Sequence, residues 1–326
     1  MSRRLPPWLD GPLLNETCPL PLDVPFTRAQ AMQSGVTRRQ FQILCERGLV
    51  KELTHGAYAV AQLRDTIESR ARALQLVVPD AVLVVDRTAA WLHGVDALPR
   101  SAAYEPVPLE LVSRNESRTR RAGVRGGIRN LLDSDVTQVE GLRVTTPLRT
   151  AIDLGRSLRR HDAFAALCSF LRHGLDHGDL QRQLPRFRRM PGVVQLRELA
   201  PLATGLPESP PEAVLLLACW DAGVDSAVPQ QWEYDDEGRP CYRCDITVPE
   251  LRLRFEYQGV AAHRSPEKRA ADAVRKAWLE ARGWCVVEVW AADLFGPGVD
   301  PLDVVYAGVR SARARLGGWR PEGEFL

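Results

Sequence analysis

Residues Asp245–Arg264 read DITVPELRLRFEYQGVAAHR. Two alternating runs flank Pro249-Glu250, which predicts two short strands joined by a turn. On the second strand Leu251, Leu253, Phe255 and Tyr257 share one face, and Arg252, Arg254, Glu256 and Gln258 share the other. On the first, Tyr242, Cys244, Ile246 and Val248 alternate with Arg243, Asp245 and Thr247. A turn centred on Pro249-Glu250 sets Asp245 opposite Arg254. Glu256 is then a diagonal neighbour on the same face, about 7–8 Å away between backbone positions. Gly259 permits a bend after the strand, and His263 follows it.

Two carboxylates at that spacing can share one Mg2+, an ion that takes oxygen ligands and keeps several waters. Such an ion activates water and neutralises charge on a reacting phosphate. Gln258 is then placed to orient the water, and His263 to protonate a leaving group or touch phosphate. Glu212 offers a further acid from the preceding helix. The plainer alternative is ion pairing with Arg243, Arg252 and Arg254 on a solvated face, which contributes little stability. Ser209-x-x-Glu212 is also a capping box in its own right.

Around this stretch the order of elements is informative. Ser209-Pro210-Pro211-Glu212 opens a helix that stops at Gly223. QQWEY, YRCDITV and LRLRFEYQ read as strands, 266–282 as a helix, WCVVEVW as a strand and PLDVVYAGVRSARARL as a last helix. The order is α-β-β-β-α-β-α.

Residues 1–25 are rich in Pro and Leu and read as an N-terminal arm. In 26–60, Thr27-x-x-Gln30 and Thr37-x-x-Gln40 are two capping boxes separated by a break at Ser34-Gly35-Val36. LVKEL and AYAV then flank Thr54-His55-Gly56 as a small hairpin. Two helices and a hairpin outline a winged helix-turn-helix. Arg38, Arg39 and Gln42 lie away from Phe41 and Leu44, residue types suited to phosphate, guanine and adenine edges, and Lys51 is placed to touch the backbone. Residues 61–200 are expected to form an α/β middle region, with Arg149 and Asp153 as an i, i+4 ion pair. It contains an Arg-rich loop at 114–129 that could meet phosphate. A Pro- and Arg-rich passage at 184–210 reads as a linker, and 201–326 forms the last domain.

Composition bounds the partners. The chain has 326 residues and a formal net charge of only +2, so DNA binding has to come from local patches. No run is apolar enough for a signal peptide or a membrane span. Seven scattered cysteines suggest reduced thiols in a cytoplasm. Cys241-x-x-Cys244 lacks the second pair that a structural zinc usually needs.

Glu212 on a helix, Asp245 on a strand and Glu256-x-Gln258 on the next, in that element order, resemble the PD-(D/E)xK restriction-endonuclease-like superfamily. More narrowly, FEYQGVAAHRS and EARGWCVVEVWAADLF look like the domain related to very-short-patch mismatch repair endonucleases; the likeness covers about 209–300. VTRRQFQILCERGLVKELTHGAYAV is similar to the AbiEi-type antitoxin winged helix of actinobacterial proteins, and RTAAWLHGV and VTTPLRTAIDL to the middle region that follows it. The resemblances imply an α/β multidomain (α+β) chain: a winged helix-turn-helix, an α/β middle region and a restriction-endonuclease-like αβββαβ core. They imply Mg2+ at Asp245 and Glu256 and DNA as partner. The functional expectation is Mg-dependent hydrolysis of DNA directed by the winged helix. The alternative is a catalytically inactive antitoxin-like regulator with a cognate toxin or phage-defence partner. The chain departs from the superfamily at Gln258, where Lys, or Asp in closer relatives, is usual; Lys268 and Lys276 on the next helix are candidate replacements.

Overall fold

Two capping boxes start the chain's first helices. The computed structural model describes residues 6–9, 11–80, 82–97, 105–113, 124–259 and 266–318. His263 and most of the Arg-rich loop, residues 114–123, lie outside the described residues. The chain divides into two compact units, 1–98 with 102–154, and 99–101 with 155–326. Its architecture is α+β and multidomain. Among the described residues no helix is long and apolar enough to cross a membrane.

In the first unit β1 (Phe26–Thr27) leads into α1 (Arg28–Gln33), then α2 (Arg38–Glu46) and a hairpin of β2 (Val50–Thr54) and β3 (Ala57–Val60). The Gln30 and Gln40 side chains accept from the backbone N–H of Thr27 and Thr37 at 2.7 and 2.8 Å, completing both boxes. Gly35, at φ 98°, makes the break between the helices. The three strands pair in the order β1-β3-β2. The Pro- and Leu-rich N-terminal segment is built into this core: Leu9, Leu14, Cys18 and Leu20 are buried with Phe26, Phe41 and Leu44.

The rest of the unit comprises α3 (Ile67–Gln75), β4 (Leu83–Val84), α4 (Asp86–Leu92), β5 (Leu109–Ser113), β6 (Val124–Ile128), β7 (Val136–Val139), β8 (Leu142–Thr145) and α5 (Pro147–Ser157). The strands form a mixed sheet in the order β6-β5-β4-β8-β7. Arg149 on α5 is almost wholly buried. Its Nε donates to Asp153 at 2.7 Å and its Nη1 to Asp135 at 2.8 Å. Arg129 joins the same network, bonding Asp153 at 2.9 Å and Asp86 through both carboxylate oxygens.

The second unit contains α6 (Arg160–Arg172), α7 (His177–Gln183), α8 (Val193–Leu199) and α9 (Pro210–Asp221), then β9 (Val228–Tyr234), β10 (Pro240–Val248) and β11 (Leu253–Gly259). It ends with α10 (Pro266–Ala281), β12 (Cys285–Trp290), α11 (Ala291–Leu294) and α12 (Pro301–Gly318). The sheet order is β12-β11-β10-β9. β9, β10 and β11 are antiparallel, and β12 runs parallel to β11 after the α10 crossover. α9 is apolar all round and buried from Pro211 to Cys219. The passage expected to be a linker is instead folded. Leu184, Phe187, Val193, Leu196 and Leu199 are buried, and α8 occupies part of it.

The hairpin register differs from the expected one. Pro249–Leu251 form a 3-10 turn, and Arg252 adopts a left-handed conformation at φ 42°. The loop is therefore longer than the turn centred on Pro249-Glu250, and Thr247, not Asp245, pairs with Arg254. The shift is by an even number of residues, so strand parity survives it.

The buried ion network supplies a stability test. Arg149→Met removes a cation from between two buried carboxylates, and unfolding free energy is expected to drop by about 3–5 kcal/mol. Urea denaturation measures this, with the exposed Arg38→Ala expected within about 0.5 kcal/mol of wild type. Equal midpoints for the two variants would show that the network contributes no stability.

Candidate functional site

The observed pairing of the two strands ends at Ile246↔Phe255, with Asp245 and Glu256 the next residues on each strand, and both line one cavity. Regular pairing stops there, because the Tyr257 N–H donates to Asp245 Oδ2 at 2.8 Å instead of to a carbonyl. On the other side β12 runs in register with β11 and sets Glu288 beside Glu256. α10 lies over these strands and contributes Arg275 and Lys276. Asp245, Glu256, Gln258, Arg275, Lys276 and Glu288 all line one cavity of about 210 Å3.

The electrostatics of this cavity are unusual. Burial, then the Glu212 charge, push the Asp245 carboxyl up to about 6, against the Tyr257 N–H that lowers it. Burial, then the Asp245 charge, push Glu256 up to about 7, opposed by Arg275. Arg275 Nη2 lies 2.7 Å from Glu256 Oε2, and Lys276 Nζ lies 3.1 Å from Glu288 Oε2. Glu256 Oε1 is buried and finds no N–H or O–H donor among the described residues, while the Cys244 thiol lies beside the Glu256 carboxylate. Arg254 beside it is wholly buried; its guanidinium lies 3.8 Å from the Trp284 ring centroid, donates to the Cys244 sulfur and pairs with Glu233.

These residues fit a divalent cation that keeps most of its waters. Two neighbouring carboxylates are both destabilised as anions, and one oxygen of Glu256 is buried with no N–H or O–H donor among the described residues. Among the described residues no group of three or more His, Cys, Asp or Glu forms a ready-made metal cage. Protein ligation would therefore come from Asp245 and Glu256, with water and phosphate completing the shell.

The expected site residues divide into three groups. Asp245, Glu256 and Gln258 are brought together at the cavity. Glu212 is buried on α9 and serves as a cap. Its Oε1 accepts from the Ser209 hydroxyl, and its Oε2 accepts from the Glu208 N–H and the Gln230 amide, each at 2.7 Å. It acts on Asp245 through its charge. His263 lies outside the described residues. In the first unit, Arg38, Arg39, Gln42 and Lys51 are exposed, and Gln42 donates to Glu46 at 2.8 Å along α2. The residues absent from the expected set are Arg275 and Glu288. Their signal was the parallel pairing of β11 and β12, which strand patterns do not reveal.

Residues 80–202 match the family described as the AbiEi antitoxin C-terminal domain. The chain is also similar to two uncharacterized proteins of Mycobacterium tuberculosis, from strains CDC 1551 and H37Rv. Each is 27% identical over 261 residues, covering 79% of this chain and 92% of the relative.

The raised carboxyls predict a pH dependence. Both acids lie above their unfolded values, so folding favours the protonated forms. Stability from this source is present below the unfolded values and is lost as pH rises through about 6 for Asp245 and about 7 for Glu256. The wild-type melting temperature is therefore expected to fall between about pH 4 and about pH 7 and to level off above that. Glu256→Gln, which keeps the shape without the charge, flattens that fall. Adding Mg2+ at the alkaline end raises the wild-type melting temperature but not that of Glu256→Gln. Parallel pH profiles for the two proteins would contradict the assignment.

Proposed function

We propose that the protein binds DNA through the exposed face of α2 and hydrolyses phosphodiesters with a divalent cation held by Asp245 and Glu256. The observation that carries this reading is the half-buried Asp245 beside the buried Glu256, raised to about 6 and about 7, in one cavity with a lysine. Perturbed acids of this kind cluster at catalytic sites. The α9-β9-β10-β11-α10-β12 order is consistent with a restriction-endonuclease-like core.

Bound there, Mg2+ would supply charge neutralisation and an acidified water. Gln258, at the cavity edge, positions the attacking water by hydrogen bonding. Lys276 brings an ammonium to the cavity from α10, in place of the lysine absent at position 258, and stabilises phosphate charge. Arg275 holds Glu256 in place when no phosphate is present. His263 is the proton donor to the leaving oxygen in this scheme.

In the first unit, two capped helices and a hairpin support a winged helix-turn-helix. Arg38 and Arg39 then meet phosphate and guanine, Gln42 an adenine edge, and Lys51 the backbone. The antitoxin match over 80–202 favours a toxin–antitoxin or phage-defence setting with a cognate protein partner. A second reading, a catalytically inactive antitoxin-like regulator, is favoured by that match and by the Arg275 contact that occupies Glu256.

Purified protein is incubated with supercoiled and mismatch-bearing DNA in Mg2+ or Mn2+, beside Asp245→Ala and Glu256→Ala. Cleavage by wild type is expected to fall to the buffer level in both variants. Equal nicking by all three removes the enzymatic reading and leaves the regulator. Arg38→Ala with Arg39→Ala is expected to weaken DNA binding; full affinity in that variant would count against α2 as the reading helix.

A further inference from the structure

Between Asp179 and Glu198 the chain carries five arginines, Arg182, Arg186, Arg188, Arg189 and Arg197, and no acid. The whole molecule has a formal net charge of only +2, so this is a concentrated basic stretch. All five side chains are exposed. Arg182 pairs with Asp179, and Arg186 stacks on Phe187 with its guanidinium 5.2 Å from the ring centroid. Arg188, Arg189 and Arg197 make no ion pair among the described residues.

The backbone that presents them is clamped. Phe187 is buried, with Arg156 stacked 5.7 Å from its ring centroid. Arg156 Nη1 donates to the Pro191 carbonyl at 2.7 Å, and Gln195 Nε2 donates to the Gly155 and Leu158 carbonyls at 2.9 and 3.0 Å. Gly192 sits so close that an added Cβ would lie 2.0 Å from the Arg156 carbonyl oxygen. Arg189 adopts a left-handed conformation at φ 67°, where an L side chain is strained and glycine is the ordinary choice. An arginine kept there, in a turn rigid enough to impose that strain, points to a requirement for its side chain.

We propose that the α7–α8 segment is a second nucleic-acid surface, a rigid arginine platform for the phosphate backbone of duplex DNA. The platform extends the proposed DNA binding and rests on the reading that the protein binds DNA. Guanidinium forks match phosphate oxygens, and five of them stand exposed in this one stretch. A protein-binding surface would carry an apolar centre with charges at its rim. On this stretch the exposed large apolar residue is Val194, set among arginines. Contacts of this kind carry no sequence information and depend steeply on salt.

The test uses the full chain and a fluorescein-labelled random-sequence duplex, titrated across about 50–200 mM salt. Arg188→Gln, Arg189→Gln and Arg197→Gln together are expected to weaken binding at least about tenfold at low salt. They are also expected to reduce the slope of log affinity against log salt by about 2–3, one lost phosphate contact per arginine. Arg189→Gly alone is expected to raise the melting temperature by releasing strain while still weakening binding, a pairing that a purely structural arginine does not give. Unchanged affinity and slope in the triple variant overturn the platform. So does a triple variant that keeps DNA binding but loses an acidic protein partner. Arg38→Ala with Arg39→Ala runs beside it. Loss confined to that variant overturns the platform and leaves α2, whereas loss confined to the triple supports the platform and removes the role of α2.

Discussion

The nearness of the half-buried Asp245 to the buried Glu256 is the constraint to which the surrounding residues of the second unit's sheet respond. Each loses hydration, and each opposes the other's charge. A purely structural pair would be better served by amides of the same shape, which pack without either penalty. The surrounding residues reduce the repulsion without removing it. Arg275 takes one oxygen of Glu256, the Tyr257 N–H takes one oxygen of Asp245, and Glu256 Oε1 finds no N–H or O–H donor among the described residues. The nearest other guanidinium, Arg254, is diverted to Glu233 and the Trp284 ring.

The first unit offers the contrast. Arg149, Arg129, Asp86, Asp135 and Asp153 form a network in which acids and guanidiniums alternate, with bonds of 2.7–2.9 Å. Charges are matched there, and neither Asp135 nor Asp153 is left facing another bare carboxylate. Both units bury acids, but the first alternates them with guanidiniums, whereas the second sets Asp245 beside Glu256. Unmatched charge of that kind is more frequent at functional sites than in structural networks.

What could be seen in the sequence was local. Thr27-x-x-Gln30 and Thr37-x-x-Gln40 form both caps within four residues, so pattern and structure coincide. The order of elements after Ser209 was legible for the same reason. The hairpin register was not, because it depends on one backbone conformation, that of Arg252, and a non-glycine residue at positive φ leaves no trace in a hydrophobic pattern. Asp245, Glu256 and Gln258, assigned to one face, do share a cavity, although Cys244, assigned to the other, lies beside Arg254. Arg149 and Asp153 were visible as an i, i+4 pair, but their burial and their link to Asp135 required the tertiary fold. The passage at 184–210 was misread because its Pro and Arg content outweighed a sparse apolar spacing, Leu184, Phe187, Val193 and Leu196, that marks a packed face.

Gln258 looked like the position on which activity turns, since it carries no positive charge. The parallel pairing of β11 and β12 changes that weighing. It brings Glu256 and Glu288 side by side under α10, where Arg275 and Lys276 are successive residues, each held by one of these acids. The cavity therefore already has cationic heads, but each is occupied. A phosphate entering would compete with Glu256 for Arg275 and with Glu288 for Lys276. The first exchange frees Glu256, whose carboxyl burial has pushed up and which a cation would therefore favour. Under the proposed function, phosphate and divalent cation are thus reciprocally coupled ligands, each improving the other's site by taking its counter-charge. An isolated lysine at position 258 would give no such coupling. The guanidinium of Arg275 on α10 gives it, because Glu256 is both its partner and a proposed cation ligand.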